Sequence, residues 1–183
     1  MNLAQLVQVR RTVHNYKPDK VPDGLVEKAL ELSLWAPNHK LTFPWAYFWV
    51  GTVVRSQLAD LAVQLKEAKG PMSEIQRKAA RENLTQPSHL IVLGVRKSEP
   101  KRMHEDYATL ACSVQIATLF LTENGVGSKW STGGYSNHPE TYKILGVSPE
   151  EVQLEGALMI GIPSLIPAVP ARPSLGQFLT KTD

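Results

Sequence analysis

Arg10, Arg11, Thr12 and His14 crowd the end of a short amphipathic opening segment. Pro37, Asn38 and His39 crowd the end of the next helical stretch, just ahead of Phe43-Pro44-Trp45. An adjacent arginine pair with a hydroxyl offers a planar fork, a second charge and a small donor. That set suits a phosphate better than a carboxylate partner. When sheltered, such charge-assisted hydrogen bonds contribute roughly 1.5–3 kcal/mol each. Taken alone, the pair reads equally as a solvated helix end whose cations favour the C-terminal dipole. Elsewhere the chemistry is sparse. No Cys/His pair has zinc spacing, so no metal site is expected. Gly125-Val126-Gly127 is too short for a dinucleotide fingerprint and follows a helix where that motif follows a strand.

The order of the pieces carries more than any one of them. Arg10-Arg11-Thr12, then Ala36-Pro37-Asn38-His39, then Pro44-Trp45 before a strand, resembles the nitroreductase family, and the small single-domain NAD(P)H nitroreductases most of all. Gly125 to Gly133 resembles the family's Gly-x-Gly-x-x-Trp-x-Ser/Thr-Gly stretch. Leu158 to Pro163 resembles its last core strand, and Pro170-Ala171-Arg172-Pro173-Ser174-Leu175 its basic tail. The resemblance implies an α+β fold with a central, mostly antiparallel sheet flanked by helices and a long central helix at a homodimer interface. It implies FMN at that interface, with NAD(P)H as a transient electron donor. It places Arg10, Arg11, Thr12 and Arg172 toward the phosphate side, Ser131, Thr132 and Gly133 beside the flavin ring, and His14 among the cofactor contacts. Pro37, Asn38 and His39 would reach the flavin of the other subunit. The implied activity is a ping-pong transfer of electrons from NAD(P)H to a nitroaromatic or quinone-like acceptor. The alternative is a flavin-binding protein of the same fold that serves one specific metabolite or sequesters flavin. Two positions depart from the pattern: Trp35 and Ser131 stand where relatives can carry arginine. Trp35 is expected to pack in its helix.

The bulk properties accommodate this. A length of 183 residues fits one domain, 1–183, with 164–183 as an extended, proline-rich tail. A hydrophobic fraction of 43% and a charged fraction of 20% permit a real core. The net charge of +3 comes from scattered cations, so an anionic small molecule is the expected partner and nucleic acid is not. A single cysteine, Cys112, excludes an intrachain disulfide and fits a reducing, cytoplasmic setting. No basic leader opens the chain, and no apolar run reaches the roughly 20 residues of a membrane span.

The elements that must position these residues follow from periodicity. Leu3, Leu6, Val7 and Val9 predict a short helix, and Leu25 to Leu34 a second, opened by Pro22-Asp23 and ended by Pro37. Trp45–Val50, His89–Val95 and Leu154–Ile162 predict three buried strands. Helices are expected over 54–69, over 73–84 as a solvated element, and over 102–124. Between Tyr107 and Thr122 that last helix has no charged residue, so it should be covered on every side, Cys112 included, with a second subunit against it. Glu105-Asp106 would complement its dipole and Gly125 would end it. Two short helices, capped at Asn137 and at Ser148-Pro149, complete the prediction.

Overall fold

The apolar runs and helical periods resolve into ten main elements in the computed structural model, which describes residues 1–182. The helices are α1 (Leu3–Val9), α2 (Asp23–Ser33), α3 (Thr52–Glu67), α4 (Glu74–Thr85), α5 (Met103–Glu123) and α6 (Pro139–Leu145). The strands are β1 (Trp45–Trp49), β2 (His89–Arg96), β3 (Gly127–Ser131) and β4 (Val152–Gly161). They form one sheet in the order β1-β2-β4-β3, every neighbouring pair antiparallel. β3 was not foreseen as a strand. Its Gly-Ser-Lys-Trp-Ser composition carries little β-propensity, and pairing with β4 imposes its conformation.

The sheet is buried on both faces, which is why β2 reads as an apolar run without alternation. One face packs Leu90, Val92 and Met159 against α3, α4 and α6 through Leu58, Ala62, Leu84 and Tyr142. The other packs Ile91, Leu93, Leu158 and Ile160 against α2 and α5 through Val26, Leu110, Val114 and Leu121. A bulge in β4 reconciles the two. Leu93 pairs with Gly156 and Gly94 with Leu154, so Glu155 is the extra residue. Before it, Val152 and Leu154 face α3; after it, Ala157 and Met159 do. Gly156 sits at φ +126°, and a Cβ there would lie 2.5 Å from the Ser131 carbonyl oxygen. Only glycine lets β3 approach this closely.

α5 ends as expected. The Gly125 N–H donates to Thr122 O at 3.1 Å and the Val126 N–H to Leu121 O at 2.9 Å, a Schellman closure with Gly125 at φ +72°. The turn sends β3 back along α5, so the far end of β3 meets the start of the helix. The rings of Trp130 and Tyr107 stand 6.3 Å apart. Glu105 and Asp106 lie in the first turn of α5, and Asp106 is buried there, accepting hydrogen bonds from Thr42 and Ser98, both at 2.6 Å. Two expectations are corrected. Within the single chain Ala108, Cys112 and Gln115 are exposed along one face of α5, so Cys112 is not core. No helix follows Ser148-Pro149, because Val152 is already claimed by the β2 ladder; residues 149–151 make one turn capped by Ser148. α6 does form, capped by His138 in place of Asn137. The tail beyond Pro163 is extended and exposed, with one 3-10 turn at Leu175–Gln177.

Candidate functional site

The segment after α1 is extended because Arg10 leaves the helix at φ −54°, ψ 131°. It lies beside the start of β3 as a short parallel partner. Thr12 bridges Ser128, and the Val13 N–H donates to Ser128 O at 3.0 Å. Alternation then separates the basic cluster. Val13 turns into the core, and Thr12 and His14 stay exposed on the opposite side together with half-exposed Arg10. Arg11 goes with Val13. Its Nη1 donates to the Arg10 carbonyl at 2.6 Å, and its Nε and Nη2 are buried without a partner. With Val9, Val13, Gly125 and Pro163 it lines a largely apolar cavity of about 290 Å³. The expected Arg10-Arg11 fork is therefore split between two surfaces.

From Thr12, β3 runs to Ser131-Thr132-Gly133. The N–H groups of Thr132, Gly133 and Gly134 donate to no acceptor among the described residues, whereas the Gly133 carbonyl is taken by both the N–H and the hydroxyl of Ser136. Beneath lie two clefts of about 600 and 240 Å³ that share the wall formed by Lys66, Ala80 and Asn83. The larger extends to Lys129; the smaller reaches Lys69, Ser131, Gly133 and Tyr135. No aspartate or glutamate lines either one. The nearby carboxylates are committed elsewhere, Glu67 to Arg77 and Asp60 to Arg81. Burial, with Lys66 adding repulsion, holds the Lys129 ammonium below its ordinary value. Burial pushes the Tyr135 phenol up to about 12, with the Ser131 hydroxyl pulling the other way.

Pro37, Asn38 and His39 stand apart from this edge, on a loop stapled to the start of α5. The Asn38 side chain accepts the Phe43 N–H at 2.8 Å and donates to Thr42 at 2.8 Å and Thr109 at 3.5 Å. Thr109 donates to the Pro37 carbonyl at 3.0 Å, and Thr42 to Asp106. Asn38 is thus consumed by the loop, and His39 is left exposed at its tip. Lys40, Leu41 and Phe43 are held at φ +59°, +51° and +47°. Trp35, expected to pack, is 84% exposed, because it lies beyond the inward face of α2, which ends at Ser33; Leu41 and Phe43 are exposed too. Arg172 lies in the exposed tail and hydrogen-bonds nothing among the described residues.

One chain thus sets Thr12 beside Ser128 at the start of β3 and Ser131, Thr132 and Gly133 at its end, and leaves the 37–39 loop and Arg172 apart. The clefts under the end of β3 bring in Lys129, Asn83, Lys66 and Lys69, which sequence reasoning missed, and are lined by neither Arg10, Thr12 nor His14. One signal was available: Lys129 is the only lysine, arginine, aspartate or glutamate between Glu123 and Glu140.

The fold is that of an α+β protein, and the clefts under the end of β3 carry lysines and no carboxylate. The chain belongs to the nitroreductase family, whose profile matches residues 7–162. It is 24% identical over 182 residues to YfhC of Bacillus subtilis, whose name assigns it provisionally to the NAD(P)H nitroreductases; the match covers 98% of this chain and 93% of that one. A crystal structure of a nitroreductase-like family protein from Bacillus cereus superposes with a TM-score of 0.87 at 24% identity, covering 100% and 97% of the two chains. The FMN-dependent nitroreductase NfnB from Mycobacterium smegmatis, solved with NADPH, superposes at 0.76 with 20% identity over the whole of both chains. No helix among the described residues is long and apolar enough to cross a membrane.

Proposed function

We propose that this protein is a cytoplasmic, homodimeric, FMN-dependent oxidoreductase that passes electrons from NAD(P)H to an electron-poor acceptor such as a nitroaromatic or a quinone. The single observation that carries the reading is the β3 edge: exposed Thr12 and half-exposed Arg10 beside its start at Ser128, and unspent N–H groups of residues 132–134 at its end. These residues fit FMN. Arg10 and Thr12, with Arg172 brought in from the tail, would take the phosphate. The Thr132–Gly134 N–H groups and His14 would hold the ring, and bound FMN supplies the hydride and electron chemistry. Arg11, half-buried and turned away, would support the phosphate end indirectly by tying off the α1 terminus at the Arg10 carbonyl.

Exposed Trp35, Leu41 and Phe43, with the bare stripe of α5, make a surface that a second copy would cover. That copy would bring Pro37, Asn38 and His39 over its partner's flavin. His39, free at the loop tip, is the residue placed to donate there; Asn38 fixes the loop's shape. Donor and acceptor would use one pocket in turn, the ping-pong pattern, since no separate dinucleotide fingerprint exists in the chain. The exposed cysteine is consistent with a reducing compartment.

The test is the visible spectrum of the protein after purification and FMN addition, followed by NAD(P)H oxidation against a panel of nitroaromatics and quinones. Flavin absorbance, acceptor-dependent turnover and parallel double-reciprocal plots are expected. A protein that stays colourless with excess FMN overturns the reading. Flavin uptake without donor oxidation would move it to the metabolite-specific or flavin-sequestering alternative, because the fold alone does not set the acceptor.

A further inference from the structure

Side chains on β3 alternate between the two faces of the sheet. Trp130 packs in the layer of α2 and α5, and Lys129 turns the other way, toward α4, where its Nζ donates to Asn83 Oδ1 at 3.0 Å. The two clefts open on that side, and neither Arg10 nor Thr12 lines them. Lys66, in the last turn of α3, faces both clefts, and Lys69 faces the smaller. Three lysines therefore meet where no carboxylate lines the walls, and none of the three has an acidic partner among the described residues. Burial and the Lys66 charge both disfavour the Lys129 ammonium.

The neutral groups carry the same bias. The side-chain oxygens lining the larger cleft are Asn83 Oδ1 and Gln76 Oε1. Each already accepts from a group that can only donate: Asn83 from the Lys129 ammonium, Gln76 from the Ser73 N–H at 2.8 Å in the cap of α4. Those partners fix which end of each amide is oxygen. The Nδ2 of Asn83 and the Nε2 of Gln76 are left as donors with no acceptor among the described residues. The N–H groups of Gly133 and Gly134, at the rim of the smaller cleft, are unspent as well. Spent acceptors beside unspent donors and cations suit a ligand that only accepts and carries more than one negative charge. A phosphate monoester, with nearly two charges and three terminal oxygens, meets that description better than a carboxylate. The larger cleft, about 600 Å³, exceeds what a bare phosphate fills, and Pro71, Met72 and Ala79 give it an apolar wall.

We propose that these clefts bind a phosphomonoester, its phosphate held by Lys66, Lys129 and the Asn83 amide and its organic body against Pro71, Met72 and Ala79. The site is distinct from the flavin edge at Arg10 and Thr12 and stands whether or not that edge takes FMN. The test titrates phenyl phosphate into the full chain by calorimetry at low salt, with inorganic phosphate and phenol as comparisons. Phenyl phosphate should saturate, inorganic phosphate should bind about tenfold more weakly because it buries no apolar body, and phenol should give no signal. Lys66→Met and Lys129→Met should each weaken phenyl phosphate about tenfold or more, the loss of one charge-assisted contact. Lys143→Met, which removes the same charge from α6, should stay within about twofold. Asn83→Asp separates ligand binding from a structural role. It keeps an oxygen for Lys129 but puts a carboxylate in the cleft, so it should abolish binding while melting no lower than wild type. Wild-type affinity in Asn83→Asp, or no saturable binding by wild type, overturns the proposal. Binding lost in Arg10→Ala and kept in Lys129→Met places the probe at the flavin edge and overturns it too. Inorganic phosphate binding as tightly as phenyl phosphate overturns the organic body.

Discussion

Arg10 is half-exposed, its guanidinium bonds no residue among those described, and its backbone has already left α1. Arg10→Ala should therefore leave folding intact and act on the ligand. The expected loss is one charge-assisted contact, roughly 1.5–3 kcal/mol, or about ten- to a hundredfold in FMN affinity. Titration of flavin-free protein with FMN checks it, with melting temperature as the control. Lys129 makes a separate prediction about pH. Its ammonium is held below the ordinary value of 10.5, so in the window just under that value the unfolded chain binds more protons than the folded one. Stability of the flavin-free protein should rise with pH through that window. Above pH 10 the rise should reverse, because burial raises Tyr16, Tyr47 and Tyr135, and the unfolded chain then gives up phenolic protons first. Denaturant melts across alkaline pH would show the rise in wild type and its absence in Lys129→Met.

Among the elements, the 37–43 loop is the one whose shape is most expensive. Three residues other than glycine sit in the left-handed region, at roughly 1–3 kcal/mol each. The hydroxyls of Thr42 and Ser98 on Asp106, and the amide of Asn38 on Thr42, Thr109 and Phe43, hold it there. Asp106→Ala strands two sheltered hydroxyls and should lower stability by about 1–3 kcal/mol, read as a reduced denaturant midpoint. The loop should then become the first segment cut by a protease. These elements also show what a sequence exposes and what it hides. α3, α4, α5 and β2 were legible to within about two residues because each has a strong period or an unbroken apolar run. The Arg10–His14 and Ser131–Gly133 pieces were legible because each is local. β3 was hidden because β4, far along the chain, imposes its pairing. The Lys129–Asn83 contact joins residues 46 apart and leaves no local trace. The separation of Arg11 from Arg10 and Thr12 depends on the segment being extended, which the helix before it disguises.

For the molecule as a whole, many of the uncovered apolar residues lie on α1, the 35–43 loop and the tail: Leu3, Val7, Trp35, Leu41, Phe43, Ile166 and Phe178 are all more than half exposed, while Val53 and Ile75 stand singly on α3 and α4. Single exposed leucines are ordinary; four large apolar residues bared within Leu34–Phe43 are not. Phe43→Asp places a charge in that surface on an already exposed residue, so the fold should persist. The elution volume in gel filtration should shift from dimer to monomer, with loss of bound flavin in the same fractions. Retention of both would refute the two-copy site. The β4 bulge has a consequence on a longer timescale. Everything from Ala157 to Gly161 owes its side of the sheet to one surplus residue, Glu155. Removing that single codon would swap Met159 with Leu158 between opposite layers and pull Ser131 out of line, whereas trimming a codon from the exposed stretch after Pro167 would disturb neither layer. Insertions and deletions of single residues should therefore be tolerated along the tail and rejected across the middle of the last strand.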